Sequence, residues 1–490
     1  MVPAVSAPDF SDLFLDRNQP LQKQLYKVLT NWITNGRLAA GAKLPSSRRM
    51  SECLKISRNT VTQVIEQLKN EGFLFSRAGT GVFVSYQLPH CVNSKINNLQ
   101  FGNSNNWSDL PALSKHSEIL KLQSPQLLQW PSNLPFSPGV PDLRAFPFSI
   151  WNKIYRQHQD RVSISGYGEP IGYFPLREKL SEYLLLSRGV RCSPDQIIIT
   201  NGRQEAVNIC AQTILNYGDT VLMENPGYRG ARIAFGSMNA KIRLIELKEN
   251  RLDVCQILKE NLGAKIIYTS PTHQHPMGGI IPPLERSKLL DWAGRSKCWI
   301  LEDESNSLFS FTEKPQAALQ GMRENSPVIF IGSFNRVLIP SLRLGYLVAP
   351  KPLVSAFTNT KSFFSGPSTS LYQAVLADFM EEGHFVRHVR KMQKCYREKW
   401  KHFCELIKSQ LEPYVTLVKS SASMYVIIIT PNYNDIYLAK KLNQRGFGSA
   451  ALSLSYANKP NKSGLMIGCV NTTRLQREQF VEYLKGLLKK

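Results

Sequence analysis

Apolar residues recur with two different periods along the chain, and this division predicts two kinds of module. Between residues 20 and 86 they follow helical spacing, as in Leu21, Leu25, Val28, Leu29, Trp32 and Ile33 and again in Val61, Val64, Ile65 and Leu68. From residue 136 onward, short apolar runs alternate with helical patterns. A small, mainly helical module is therefore predicted to precede a large module that mixes strands and helices.

The first module is predicted to contain three helices and a hairpin. Gly36 and Gly41 end the first helix, and serines at 46 and 47 are suited to cap the second. Ser57 follows a short turn and can cap a third helix, which ends near Gly72. Two short helices joined by a tight turn form a helix-turn-helix unit, and the strand-like runs 73–77 and 82–84 form a hairpin wing.

The predicted third helix begins with residue types that bind nucleic acid. Ser57, Arg58, Asn59 and Thr60 would lie at its exposed start, from which side chains can reach phosphates and base edges in a major groove. The wing has a glycine-rich tip with Arg77 beside it. We therefore assign these residues to a DNA-binding surface.

The large module has the pattern of a parallel, doubly wound α/β sheet. Its strand-like runs are 197–199, 221–223, 266–268, 299–301, 328–331 and 347–349. A smaller α+β subdomain is predicted from about residue 362 to 490, with strand-like runs at 415–418 and 425–429. We place the domains at 18–86 and 135–490, with 87–134 as a linker in which 117–123 has the pattern of a short helix.

The net charge indicates which class of partner the protein binds, and the cysteine content indicates its cellular compartment. The 490 residues carry a formal net charge of +23 and a pI of about 9.6, which favours nucleic acid over a membrane surface, although a generally basic, solvated surface gives the same numbers. No run of eighteen apolar residues predicts a membrane span, and the start of the chain lacks the pattern of a secretory signal. Nine scattered cysteines without a Cys-x-x-Cys pair indicate reduced thiols in a cytoplasmic protein, with neither disulfides nor a metal site.

The first module resembles the winged helix-turn-helix of the GntR family along its whole length. The matching blocks, in the same order, are 35–38, 41–48, 57–61, 71–74 and 79–84. The resemblance implies that Arg48, Arg58 and Thr60 contact DNA and that Gly79 and Gly81 let the wing tip approach the backbone. A helix-turn-helix used only for protein contacts is the alternative.

The large module resembles the aminotransferase-like domain of MocR-type regulators, which has the type I fold of pyridoxal-phosphate (PLP) enzymes. The matching blocks are 136–142, 166–177, 224–228, 270–278, 302–303 and 332–346. The family reads Gly-Ser/Thr-Phe-Ser-Lys where this chain reads Gly332-Ser333-Phe334-Asn335-Arg336. The lysine forms a Schiff base with the cofactor aldehyde, and a guanidinium is a poor nucleophile because it stays protonated. No covalent PLP is therefore expected.

The resemblance also implies a set of noncovalent cofactor contacts. Gly202 and Arg203 lie at a strand-to-helix turn that can hold a phosphate, although the family often has a small residue at 203, so that Arg203 either contacts the phosphate or fills the pocket. Tyr228 would stack on the pyridine ring, Asp303 would pair with its nitrogen, and Arg343 would clamp the phosphate. Ser305 replaces the tyrosine that holds the cofactor's phenolic oxygen, and no arginine stands in 465–468, near where aminotransferases hold the substrate carboxylate.

The sequence therefore predicts a homodimeric transcriptional regulator of the MocR branch, which binds double-stranded operator DNA and has no transaminase activity. The cofactor stays unknown: a vestigial pocket and reversible binding of PLP or another phosphorylated effector are both open. An active aminotransferase with an appended DNA-binding module is the alternative from the enzyme class, and Arg336 counts against it. In a third interpretation, the large domain is a dimer scaffold without a ligand.

Overall fold

The computed structural model describes residues 13, 15–17, 19–86, 117, 133–260, 263–304, 307–309, 316–418 and 423–489. Its contacts divide the chain into two units, 1–112 and 113–490, and each unit is described by itself. Most of the predicted linker, including its predicted helix beyond residue 117, lies outside the described residues. No described helix is long and apolar enough to cross a membrane, and the described residues contain no cluster of metal-binding side chains.

The first unit contains the three helices and the hairpin that the sequence predicts. Its elements are α1 (Leu21–Thr34), α2 (Ser47–Leu54), α3 (Arg58–Asn70), β1 (Leu74–Arg77) and β2 (Gly81–Val84). The predicted serine caps are confirmed, because the Ser46 hydroxyl accepts from the Arg49 amide at 3.3 Å and the Ser57 hydroxyl from the Thr60 amide at 3.1 Å. Both caps satisfy amides that the helix itself leaves unpaired.

An apolar core holds this unit together and fixes the outward face of α3. The fully buried side chains come from all three helices and include Leu25, Leu29, Met50, Val61, Val64 and Leu68. β1 and β2 pair antiparallel, and a bridge between Lys43 and Phe83 joins the segment before α2 to the hairpin. The wing is thereby anchored to the helical part.

From residue 133 onward, the described residues of the second unit form eleven α-helices, several short 3-10 helices and twelve strands. The helices are α4 (Phe148–His158), α5 (Phe174–Arg188), α6 (Arg203–Ile214), α7 (Arg229–Ser237), α8 (Val254–Lys259), α9 (Pro283–Ser296), α10 (Val354–Phe364), α11 (Ser370–Glu381), α12 (His384–Leu411), α13 (Asp435–Gln444) and α14 (Arg474–Leu488). The strands of the larger sheet are β3 (Ile197–Thr200), β4 (Thr220–Asn225), β5 (Lys241–Lys248), β6 (Arg251–Leu252), β7 (Ile266–Thr269), β8 (Trp299–Asp303), β9 (Val328–Ser333) and β10 (Gly345–Val348). The smaller sheet has β11 (Thr416–Leu417), β12 (Tyr425–Ile429), β13 (Ala450–Ala451) and β14 (Gly464–Gly468).

The larger sheet is mixed, which corrects the prediction of a parallel sheet. Its order is β3-β10-β9-β8-β7-β4-β5-β6, and β10 runs antiparallel to both β3 and β9. The short β6 is antiparallel to β5, whereas β4, β5, β7, β8 and β9 are parallel. Only eleven residues connect β9 to β10, and a parallel pair needs a longer crossover that usually contains a helix.

The predicted smaller subdomain is present as a four-stranded antiparallel sheet with the order β11-β12-β14-β13. A segment from far upstream completes its core, because the fully buried Phe136 ring stacks on Phe480 with 4.4 Å between centroids. The Phe136 carbonyl accepts from the Gly468 amide at 2.7 Å, and its amide donates to Asn471 at 3.1 Å. Phe136, near the beginning of the continuously described part of the large unit, is therefore built into the subdomain formed by the unit's last residues.

Candidate DNA-binding surface and ligand cavity

The start of α3 presents the side chains that the sequence predicts for DNA contact. Arg58 and Asn59 are exposed, and Thr60 is partly buried. The Ser57 hydroxyl lies 3.0 Å from the Thr60 hydroxyl and also caps the helix, so that both side chains are held in one geometry. Ser57 therefore serves to position this end of α3, and Arg58 and Asn59 are the side chains free to reach outward.

On α2, Arg48 is exposed and pairs with Glu52 at 3.1 Å. Both side chains are mostly in solvent, with 80% and 63% of their surfaces exposed, and such a pair contributes little to stability. A phosphate can therefore take the guanidinium away from Glu52 at small cost.

The wing holds its arginine on an aromatic platform. The Arg77 guanidinium carbon lies 5.5 Å from the Phe75 ring centroid and 5.4 Å from that of Phe83, distances typical of cation–π contacts. Gly79 has a φ of +73° at the open tip, a conformation that favours glycine. Lys43 was not predicted from the sequence to belong to this surface. Its side chain lies against Gly81 and adds a second exposed cation to the wing.

In the large unit, a cavity of about 520 Å³ lies at the carboxyl ends of the parallel strands, where α/β folds commonly bind ligands. Residues that follow β3, β4, β7 and β9 line it together with part of the smaller subdomain. The lining residues are Arg203, Gln204, Gly227, Tyr228, Arg229, Gly230, Ile233, His275, Arg336, Leu454 and Ser455. The chain thereby gathers three arginines around a partly apolar space.

Arg203, at the start of α6, makes two close contacts in this cavity. Its guanidinium donates to the Asp303 carboxylate at 3.0 Å, and the guanidinium carbon lies over the Tyr228 ring, 3.6 Å from the centroid. Asp303 is 1% exposed, and it also accepts from the Tyr268 hydroxyl. Burial opposes the charge on Arg203, but Tyr228 and Asp303 outweigh burial and raise its pKa.

Arg336 reaches the same cavity from the segment after β9. Its guanidinium lies against Gly139, where an added Cβ would be 3.0 Å from the guanidinium carbon. No ion pair joins it to a carboxylate among the described residues. Burial, together with the charge of Arg203, lowers its pKa to about 10, which still leaves it protonated at neutral pH.

The two histidines near the cavity are neutral at physiological pH. Burial, and then the charge of Arg336, lowers the pKa of His273 to about 4. His275 has a pKa well below its ordinary value, because it is buried and faces both Arg203 and Arg336. The charge of the cavity lining is therefore set by its arginines, one of which is paired with Asp303.

At the turn where a phosphate was predicted, the amide of Asn201 already donates to a carboxylate. Gly202 has a φ of +89° and lets α6 begin directly after β3. The Glu205 carboxylate turns back onto this turn and accepts from the Asn201 amide and, at 3.0 Å, from the Asn201 side chain. Arg343 is exposed and is not among the residues that line the cavity, so that its phosphate contact stays a prediction.

The residues present do not fit PLP. Arg203 already contacts both the ring face of Tyr228 and the carboxylate of Asp303, and a carboxylate rather than an open amide faces the start of the turn. No lysine lines the cavity within the described residues: Lys351 is exposed, and Lys361 is buried with its amine donating to the Gly366 carbonyl. Ser305 lies outside the described residues.

Sequence reasoning named Arg203, Tyr228 and Asp303, and the structure brings these three together. Glu205 and Tyr268 were not predicted from the sequence. Glu205 stands two residues after Arg203, so that its place in the first turn of α6 was a signal that could have been used. Tyr268 lies inside a predicted strand, and nothing in its neighbourhood in the sequence points to Asp303.

Two family models match the chain. Residues 21–84 match bacterial regulatory proteins of the gntR family, and residues 139–484 match aminotransferase class I and II. Among curated proteins, the "Probable rhizopine catabolism regulatory protein MocR" of Rhizobium meliloti is 33% identical over 461 residues, which cover 93% of this chain and 92% of that protein. The "HTH-type pyridoxine biosynthesis transcriptional regulator PdxR" of Corynebacterium glutamicum is 25% identical and covers 91% of each chain.

Solved structures show the same fold for the large unit. The α-aminoadipate aminotransferase LysN of Thermus thermophilus superposes with a TM-score of 0.70 at 24% identity, over 78% of this chain and 98% of that one. An archaeal alanine:glyoxylate aminotransferase gives 0.68 at 22% identity, over 77% and 96%. The predicted type I aminotransferase fold is thereby confirmed. Together with its relatives, this architecture places the chain in the family of MocR-type transcriptional regulators, which join a GntR-type helix-turn-helix to a class I and II aminotransferase domain.

Proposed function

We propose that the chain regulates transcription as a homodimer that binds operator DNA through α3 and the wing, and that its large domain binds a small anionic effector without transaminase activity. The observation that carries this proposal is the combination of an exposed, capped recognition helix with a cavity whose cofactor position is filled by Arg203. Arg336 offers no amine for a Schiff base, which removes the chemistry on which PLP-dependent transamination depends.

DNA binding is tested with Arg58 and Arg77. Replacing Arg58 by alanine should weaken operator binding by about 1–3 kcal/mol and relax the preference for the operator sequence, since an arginine at this position reads base edges. Arg77→Ala should weaken binding to operator and unrelated DNA alike and reduce its salt dependence, since the wing contacts phosphates. Both are measured by fluorescence anisotropy at fixed salt. An Arg58→Ala variant with unchanged affinity and sequence preference would rule out this surface.

The exposed side chains of the large unit support dimerisation. Segments 164–168 and 365–371 line one cleft, and large apolar side chains protrude in and beside these segments. Tyr167 is fully exposed, and Val162, Phe363 and Phe364 are 87%, 88% and 70% exposed. Clustered apolar surface of this kind is typical of a protein–protein interface.

Placing two charges on this surface should separate the dimer. Phe363→Asp combined with Phe364→Asp should raise the dissociation constant of the dimer roughly 100-fold or more, because an unpaired buried carboxylate costs at least about 3 kcal/mol. Sedimentation velocity over a range of concentrations measures this. Tyr217→Asp, at another apolar residue that is 85% exposed, is the matched control and should leave the dimer intact. A wild-type chain that is monomeric at micromolar concentration contradicts the proposal.

Arg336 is the expected anchor of the effector. It is a protonated guanidinium beside the apolar side chains of Ile233 and Leu454, without an ion pair to any described carboxylate. A guanidinium in this setting binds a carboxylate or phosphate through charge-assisted hydrogen bonds.

The effector is tested by thermal shift with acetate, benzoate, succinate and inorganic phosphate. At least one of them should raise the melting temperature of the wild type by binding the folded state, and Arg336→Met should abolish that rise. Arg397→Met, which alters an exposed arginine of α12 outside the cavity lining, is the control and should keep it. No shift with any anion would favour a dimer scaffold without a ligand.

A further inference from the structure

Arg203 makes the two contacts that the type I fold reserves for the ring of its cofactor. A pyridinium ring is flat and positively charged. An aromatic side chain stacks on its face, and a carboxylate pairs with its nitrogen. The Arg203 guanidinium is also flat and charged, and it lies over Tyr228 at 3.6 Å while donating to Asp303 at 3.0 Å. The same two partners are therefore satisfied from within the chain.

Glu205 places a carboxylate at the turn where the fold holds the phosphate. The amides at the start of a helix attract an anion, and in this fold the turn before α6 would supply them. Here the Glu205 carboxylate accepts from the Asn201 amide and from the Asn201 side chain. A fixed negative charge now lies where a dianionic phosphate would have to approach.

Arg203 and Glu205 belong to the same first turn of α6, two residues apart. Together they reproduce the charge pattern of the cofactor, with a planar cation at the ring position and an anion at the phosphate end. We infer that Arg203 and Glu205 are a built-in substitute for the cofactor, which keeps the site folded and closes it to PLP.

The ion pair between Arg203 and Asp303 is largely buried, which strengthens the exclusion of PLP. Asp303 is 1% exposed and Arg203 is 15% exposed, so that a pyridinium ring could pair with Asp303 only by displacing a guanidinium from a largely buried ion pair. The displaced guanidinium would meet Arg336, another cation in the same cavity. The exclusion of PLP therefore results from residues of α6 and does not depend on the absence of a lysine at position 336.

Four full-length proteins separate these two causes: the wild type, Arg336→Lys, Arg203→Ser with Glu205→Gln, and the triple variant with all three changes. Each is incubated with PLP, and binding is followed by equilibrium dialysis with absorbance. A second sample is reduced with borohydride, and peptide mass spectrometry locates any pyridoxyl-lysine, so that adducts on surface lysines are distinguished from one at residue 336.

The wild type and Arg336→Lys should retain no PLP in the cavity. The double variant should bind PLP reversibly, roughly 100-fold or more tightly than the wild type, as expected when a competing buried ion pair is removed. The triple variant should yield one pyridoxyl adduct at residue 336. Circular dichroism confirms folding, and Arg203→Gln with Arg336→Lys is the substitute if the triple variant fails to fold.

Two results would overturn the inference. One is a wild type, or an Arg336→Lys variant, that takes up PLP in the cavity as well as the triple variant does. The other is a folded triple or substitute variant that takes up none. Operator binding is measured on the same samples. Absence of operator binding by the wild type would count against the proposed regulator function and would leave this inference standing.

Discussion

Replacing Arg188 by methionine should lower the free energy of unfolding of the large unit by about 3–5 kcal/mol, because it removes the ion-pair partner of a buried carboxylate. Arg188 ends α5 and donates to Glu304 at 2.6 Å and to the Thr272 hydroxyl at 2.9 Å. The two charged side chains are only 5% and 2% exposed. Chemical denaturation followed by tryptophan fluorescence measures the change.

A surface pair close in sequence provides the control. Arg191 lies 3.9 Å from Glu324, and the two side chains are 64% and 86% exposed, so that Arg191→Met should cost less than about 1 kcal/mol. Removing both buried charges, as in Arg188→Met with Glu304→Leu, should cost less than Arg188→Met alone. Equal stability of Arg188→Met and Arg191→Met would show that the buried pair is unimportant.

Replacing Phe136 by alanine should cost about 3–5 kcal/mol, the range for removing a buried aromatic side chain. Its ring stacks on Phe480 and also contacts Phe403 and Phe447, with centroids 5.9 and 5.6 Å away. Because these partners come from α12, α14 and the segment after α13, the loss should loosen the whole smaller subdomain. Denaturant midpoints and hydrogen exchange in β14 measure the effect.

Leu186→Ala is the matched control, because this apolar side chain is 88% exposed and contributes little buried surface. It should change stability by less than about 0.5 kcal/mol. If Phe136→Ala behaved like Leu186→Ala, the packing of residue 136 against the smaller subdomain would be unimportant to stability.

The elements of the fold could be predicted from the sequence because each is set by local periodicity. The six apolar runs assigned to the large sheet are all strands, and the serine caps of α2 and α3 are in place. The predicted direction of β10 was wrong, because a run such as Leu347-Val348-Ala349 is equally apolar whichever way the strand runs. The short connection after β9, which contains no α-helix, was the signal that could have corrected it.

The cavity was predicted only in part, because its central contacts join residues far apart in the chain. Arg203 and Asp303 are 100 positions apart, and their pairing decides whether the arginine aids a phosphate or fills the pocket. The sequence left that choice open, because α6 and the end of β8 come together only in the folded chain. Tyr268 was missed for the same reason, since β7 and β8 become neighbours only in the folded sheet.

Phe136 and Gly139 connect the smaller subdomain to the cavity over a short stretch of chain. These residues follow directly after the stretch that leads back, in sequence, to the helix-turn-helix. Phe136 is fixed in the smaller subdomain, and three residues later Gly139 touches the Arg336 guanidinium. A substitution that shifts the Arg336 guanidinium therefore also acts on the backbone at Gly139, only three residues after the side chain that is fixed in the smaller subdomain.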